Sequence, residues 1–396
     1  MAAPARGLWH RYPDMTTADP GRRRPQVLVY SERNVIARKW HALQYEFEDM
    51  GAELGVADVV ALRLGPQTPF SRAAYRVNRG VGRRGTLDVN IEEVAITGEY
   101  DLFFAFFAFP SDIPHIQRLK GWRERCKQAV CFVGEHYTQE EAENRRHLEL
   151  LRKLGFDRVY LFNAAPMESV ASMVGCPVEF MGHGVDALRF SPYPLVPPRT
   201  VDLYQYGRRS DVTHAAALEL SREDGVFYIY DTVFNVPLED HRAHRTLVAE
   251  TLKRSRYFFS YRPGENLDRA KGDDTLSSRY FEAIGGGAVL LGSRPGVKEY
   301  DECFPWQDAT IEIPFEAHDL REIIADLDAQ PERIATARMN NIVQTLRTLD
   351  WVYRWARILE QAGLPLTQGM HDRMAALERL ADTAEEREAA ALERLG

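Results

Sequence analysis

The chain has 396 residues, enough for two ordinary domains and too many for one small module, because a single core stops growing near ~250–300 residues. Hydrophobic residues at 45% and charged residues at 27% describe a globular protein, and 58 acidic against 50 basic side chains, a formal charge of -8, exclude a chain whose main task is coating nucleic acid or anionic lipid. Cys126, Cys131, Cys176 and Cys303 stand far apart without zinc-ligand spacing, which predicts buried thiols in a reducing compartment and no metal centre.

Residues 1–25 are rich in Ala, Pro, Arg and Gly without periodicity and are predicted to be a disordered leader. No apolar run reaches the length of a signal peptide core or the ~18 residues of a membrane span, so a cytoplasmic protein is expected. From residue 26 short apolar runs alternate with helical periods. Gln26 to Tyr30 reads as a buried strand, and Val35 to Met50 as a helix with Ile36, Trp40, Leu43 and Phe47 at spacings of three and four. Strands at Leu102 to Phe107, Ala129 to Val133, Arg158 to Phe162 and Val178 to Met181 follow, with helices at Ile113 to Cys126, Gln139 to Leu154 and Met167 to Val174 between them. This pattern predicts right-handed βαβ crossovers and a Rossmann-like domain over residues 26–188.

Four prolines between Arg189 and Pro198 mark a linker over 189–199, since proline lacks an amide donor and disfavours helix before it. The alternation then resumes over 200–350. Strands are predicted at Val201 to Tyr206, Val226 to Tyr230, Tyr257 to Tyr261, Ala288 to Leu291 and Thr310 to Ile313, with helices at His244 to Arg254, Ser278 to Ile284 and Leu320 to Ala329. The fold class is therefore α/β, two doubly wound domains facing across a cleft, with ligands outside the carboxyl ends of the strands. Residues 351–364 are an amphipathic helix expected to pack back toward the first domain. The acidic tail 365–396 is read as a solvated helix, with a coiled-coil contact through Met374, Leu377, Ala381 and Ala384 as the alternative.

The stretch Asp273-Asp-Thr-Leu-Ser-Ser-Arg-Tyr-Phe-Glu-Ala-Ile-Gly-Gly-Gly287 carries the most chemistry. Asp274 and Glu282 stand eight positions apart across a loop and a helix start, where free amides favour an anion. Arg279 and Ser278 lie in the first turn, Arg279 able to fork onto phosphate and Glu282 able to accept from a vicinal diol. A nucleoside diphosphate sugar presents these groups together. A capped surface helix with an Arg to Glu pair is the bland alternative. Gly285 to Gly287 follow the helix and precede a strand, so they are not a dinucleotide fingerprint.

These residues resemble the E-x7-E region of GT-B glycosyltransferases of the group 1, family 4-like type. Arg279-Tyr-Phe-Glu-Ala followed by Gly-Ala is especially similar to the CgeB/YkvP-like spore-protein branch. Gly182-His-Gly-Val-Asp-Ala-Leu-Arg-Phe-Ser-Pro192 is similar to the family's N-G-V-D-x-x-x-F-x-P motif, and Tyr206-Gly-Arg-Arg209 stands where the family has its G-R loop. The resemblance implies that Glu282 binds the ribose and Asp274 the transferred sugar. It further implies that Arg208 or Arg209, with Arg279, Arg262 or Lys271, neutralises the departing diphosphate. Gly207 would let the backbone approach the phosphates. His136, past the strand ending at Val133, resembles the family's histidine facing the sugar, with Glu135 as runner-up, while His183, Gly184 and Asp186 would lie at the cleft and hinge. Three departures are visible: an aspartate at 274, no glycine pair in the loop Ser31 to Asn34, and no lysine a few residues after the G-R loop.

Asp326 and Asp328 imitate a D-x-D metal motif but fall within an amphipathic helix. The basic segment Arg72, Arg76, Arg79, Arg83 and Arg84 is a candidate for peripheral membrane contact or an exposed loop. The resulting expectation is a retaining, metal-independent glycosyltransferase with no cofactor. It would take a nucleoside diphosphate sugar and pass the sugar to a glycan, lipid-linked, protein or small-molecule acceptor, with no nucleic-acid partner. A sugar-nucleotide epimerase and a non-catalytic sugar-nucleotide-binding scaffold are the competing readings.

Overall fold

A computed structural model describes residues 26–36, 38–66, 90–232, 238 and 240–392. The leader 1–25 and the basic segment from Arg72 to Arg84 lie outside these residues. The described strands are β1 (Val27–Ser31), β2 (Ala57–Ala61), β3 (Val94–Ala95), β4 (Tyr100–Phe107), β5 (Leu119–Lys120), β6 (Cys126–Val133), β7 (Arg158–Leu161) and β8 (Val178–Phe180), then β9 (Val201–Gln205), β10 (Tyr228–Tyr230), β11 (Ser255–Ser260), β12 (Val289–Gly292) and β13 (Ile311–Glu312). The first sheet runs β2-β1-β4-β6-β7-β8 and the second β10-β9-β11-β12-β13, parallel throughout. Strand order reverses between β1 and β4 in one sheet and between β9 and β11 in the other. These are the crevices where doubly wound sheets bind ligands.

The strands are apolar on both faces because helices cover both. All five residues of β1 are buried, as are the last six of β4. Helix Trp351–Gln361 returns to the first domain, where Trp355 stacks on Phe47 at 4.5 Å and 4°. Gly51 permits this, since a Cβ there would stand 2.6 Å from the Trp355 ring. One apolar core runs from β1 through Trp355 to β12, so the two domains share a continuous interior beside the cleft.

Four local expectations are corrected. Residues 113–126 are not one helix: a 3-10 segment, Pro110–Arg118, holds Pro114 inside it, and the chain then forms β5 against β3 before β6 begins at Cys126. The helix expected from Val35 starts at Ala42, because a turn closing on Glu32 occupies residues 32–36, and Trp40 is 43% exposed. Cys126 and Cys131 are buried, but Cys176 and Cys303 are only half-buried, and all four are free thiols. The tail helix Gln368–Leu392 is not solvated all round. Met370, Leu377, Ala381 and Ala384 are buried within this chain, and Arg347 clamps Glu378, Asp382 and Glu385 at 2.6–3.0 Å. β2 and helices Asp211–Glu223 and Pro331–Gln344 went unread in the sequence. Among the described residues, no helix is long and apolar enough to cross a membrane.

Candidate functional site

The carboxyl ends of the two sheets face each other around a cavity of about 40 Å³. The first domain contributes Gly134 to Tyr137 after β6, Phe162 and Asn163 after β7, and His183 after β8. The second contributes Arg208 after β9, Pro263 after β11 and Thr275 to Arg279 at a helix start. Pockets for drug-sized ligands span ~300 Å³ or more, so this cavity is narrow. A groove of about 940 Å³ beside β13 is larger, but its Arg294 and Arg333 are paired with Asp301 and Asp308. His136, His183, Arg208, Ser278 and Arg279 line the smaller cavity.

Helix Ser278–Gly285 begins there because Ser277 caps it, accepting from the Arg279 amide. Gly207 has φ 78°, and a side chain there would collide with the Arg279 guanidinium. Its amide donates to both Asp231 oxygens at 3.2 Å, which fixes the loop carrying Arg208. Neither Arg208 nor Arg279 forms an ion pair with a carboxylate among the described residues, and the Arg208 Nε is buried without a partner. Burial, with Arg279 adding repulsion, depresses the Arg208 guanidinium to about 10. Two adjacent cations at a helix N-terminus form a site for an anion with several oxygens.

Across the cavity His136 is buried and accepts at Nδ1 from the Asn144 amide at 3.3 Å, which leaves the proton on Nε2. The Nε2 is buried without a partner, and His136 is part of the cavity lining. Burial pushes this imidazole down to about 4, outweighing Glu141 and Asp273, so it is a neutral donor at pH 7. His183 is enclosed by Phe106, Phe132, Phe162, Phe281 and Trp351 and is pushed down to about 3, by burial first and by Arg354 and Arg245 next. It is a neutral wall of the site. A Cβ on Gly184 would meet Trp351 at 2.8 Å, so the chain passes close to that ring. Asp186 caps helix Ala187–Phe190 and takes Arg373 at 2.6 Å.

Other expected residues stand elsewhere. Lys271 is exposed and pairs with Asp268 at 2.9 Å. Arg209 donates to the Asp231 carbonyl at 3.1 Å and lies over Tyr230. Arg262 and Asp274 face each other at 3.5 Å, and Asp274 also accepts from the Gly296 amide at 2.6 Å. It is Asp273 that crosses the cleft, accepting from Asn163 at 2.6 Å and the Thr138 amide at 2.9 Å. Glu282 is buried behind the cavity, bonded to Tyr206 and Arg245. Sequence reasoning also missed Arg269, which pairs with Glu135 and Glu140 of the first domain and lies over Phe109 and Tyr137. The D-x-D pair is on helix Leu320–Asp328, where Asp328 accepts from Tyr257 and Arg256.

Residues 210–360 match the family described as glycosyl transferase-like, Glyco_trans_1_2. The matched segment lies in the second domain and the helix that returns from it, and the chain has two facing doubly wound α/β units. No curated protein matches the chain. Solved structures similar to it include the Anabaena protein Alr3699/HepE in complex with UDP-glucose, 12% identical over 85% of this chain and 99% of that chain, with a TM-score of 0.48. An alpha-glucosyltransferase in complex with UDP and a 13-mer DNA is 9% identical over 85% and 99% of the two chains, with a TM-score of 0.45. The pneumococcal O-GlcNAc transferase GtfA, in complex with UDP and GlcNAc, is 12% identical over 66% of this chain and 57% of that one, with a TM-score of 0.38.

Proposed function

We propose that the protein transfers a glycosyl group from a nucleoside diphosphate sugar, retaining anomeric configuration and requiring no metal ion. The supporting observation is the pair Arg208 and Arg279, free of carboxylate ion pairs among the described residues and set at a capped helix start opposite the neutral His136. When the anomeric C–O bond breaks, the electron pair leaves with the diphosphate and positive charge grows on the sugar. Arg208, Arg279 and the amides near Ser278 receive the first charge. His136 Nε2 donates to a sugar hydroxyl, and the Asp273 and Asp274 carboxylates accept from others. Glu282, one helical turn (~5–6 Å) beyond Ser278, binds the ribose. The Arg279-Tyr-Phe-Glu-Ala stretch supports assigning the second domain to the CgeB/YkvP-like branch. The acceptor binds on the first domain's side, as a glycan, lipid-linked glycan, protein or small metabolite. A cytoplasmic location with peripheral membrane contact through Arg72 to Arg84 completes the proposal.

A thermal-shift panel of UDP, GDP, dTDP and ADP with their sugars tests this reading. At least one nucleotide should raise the melting temperature of the wild type, and incubation with the matching donor alone should slowly release free sugar. An altered sugar still joined to nucleotide would indicate an epimerase, and no shift with any nucleotide would defeat the proposal.

A further inference from the structure

Glu282 is held in an ion network that crosses the domain boundary. Arg245, on helix His241–Lys253, is buried and directs Nη1 to Glu282 Oε1. Its Nε and Nη2 fork onto Glu46 of helix Ala42–Glu53, in the first domain, at 3.1 Å each. The guanidinium carbon sits 4.8 Å from the Phe190 ring, which closes one face. Glu46 is itself fixed from several sides, accepting from Trp351 Nε1 at 3.0 Å, Arg189 at 3.1 Å and the Asp186 amide at 3.3 Å. With Nε and Nη2 committed to so constrained a carboxylate, Arg245 cannot turn, and Nη1 presents one fixed direction to Glu282.

A carboxylate offers about four acceptor positions. Arg245 takes one on Oε1 and Tyr206 takes one on Oε2, which leaves one on each oxygen. Two remaining positions on a locked carboxylate match the two hydroxyls of a ribose cis-diol. We propose that Arg245 is the positioning residue for Glu282 and that Glu46 holds Arg245 in place, so ribose recognition in the second domain depends on a carboxylate in the first. This rests on the nucleotide-sugar reading given above. Because Glu46 touches no nucleotide, its effect reaches the ribose only through Arg245.

The test is the preference for a ribonucleotide over its 2′-deoxy form, measured by calorimetry with UDP and 2′-deoxy-UDP, or with the corresponding pair for whichever base binds. Wild type should favour the ribonucleotide by about tenfold, and Glu282→Gln should abolish that preference. Glu46→Gln and Arg245→Lys should each weaken the ribonucleotide roughly tenfold while changing the deoxy form less than threefold. A parallel loss for both nucleotides would reduce Arg245 to a structural cross-link and overturn the inference, as would unchanged binding in both variants. If Arg245→Lys fails to fold, Glu46→Gln alone decides. Wild type that binds nucleotide without discriminating, or that keeps its preference in Glu282→Gln, would remove the ribose role of Glu282 and this inference with it, leaving the diphosphate site standing. No nucleotide binding at all would defeat the functional reading itself.

Discussion

Replacing Arg208 by Gln should make the empty protein more stable and the liganded protein weaker. The guanidinium falls from its ordinary value to about 10 in the folded chain, chiefly through burial and then through Arg279. At ~1.4 kcal/mol per tenfold, the fold holds this charge at a cost of about 3 kcal/mol. The sign is that of a depressed base: the cost is fully present below about pH 10 and fades above it, so it is complete at pH 7. Arg208 is half-buried as a residue, although its Nε is out of reach of water, and glutamine leaves some polar burial. A gain of about 1–3 kcal/mol is therefore expected, or roughly 3–8 °C in melting temperature. Nucleoside diphosphate at a hundred times its Kd would stabilise wild type by about 2.7 kcal/mol. Losing one charge-assisted hydrogen bond, at ~1.5–3 kcal/mol, should weaken binding roughly 10–100-fold in the variant. Differential scanning fluorimetry with and without nucleotide measures both effects. A less stable empty variant would mean that Arg208 holds the fold together, and the cation pair would cease to be evidence for an anion site.

Three further perturbations test neighbouring parts of the argument. His183→Leu removes an imidazole held at about 3, whose unfolded counterpart titrates near ~6.5, so wild-type stability falls as pH drops through that window because the unfolded chain binds the proton first. Urea titrations between pH 6.5 and 4 should show a stability slope flatter by about 1.4 kcal/mol per pH unit in the variant, and an unchanged slope would contradict the neutral assignment. Gly207→Ala, at φ 78° and against Arg279, should cost about 1–2 kcal/mol in chemical denaturation and weaken nucleotide binding in the same direction. His136→Ala should lower kcat roughly 10–100-fold for one lost hydrogen bond to the reacting sugar, and the wild-type rate profile should show no inflection near pH 6.5 from this residue, since it is already neutral above about 4.

The features that could be read from sequence are local ones. Alternating apolar runs and helical periods gave the two domains because each βαβ unit encodes its burial within a few turns. The Tyr206-Gly-Arg-Arg209 loop and the start at Ser278 were readable for the same reason: a positive φ and a helix cap depend on neighbours in the chain. Contacts across the cleft had no such signal. Asp273 meets Asn163 at a separation of 110 residues and Arg245 meets Glu46 at 199, contacts fixed by how the two domains pack rather than by either segment's own pattern. Motif spacing singled out Asp274 and missed Asp273 for this reason, since spacing orders residues along the chain but does not orient a loop.

One clue to Arg245 was nevertheless present. On helix His241–Lys253 the buried stripe is Arg245, Val248, Ala249 and Leu252, spaced three and four apart, with the arginine in a position that periodicity reserves for an apolar side chain. Glu46 likewise falls between Leu43, Phe47 and Met50 on a buried helix. An ion on an apolar stripe is held there only with a partner, because isolated burial costs far more than a fold can spare. Two helices, each carrying one misplaced charge of opposite sign and each adjoining a switch-point crevice, would face each other if their domains closed on a common axis. Arg245→Met is therefore a stringent stability test. Removing the cation that Glu46 and Glu282 share should cost about 3–5 kcal/mol in chemical denaturation.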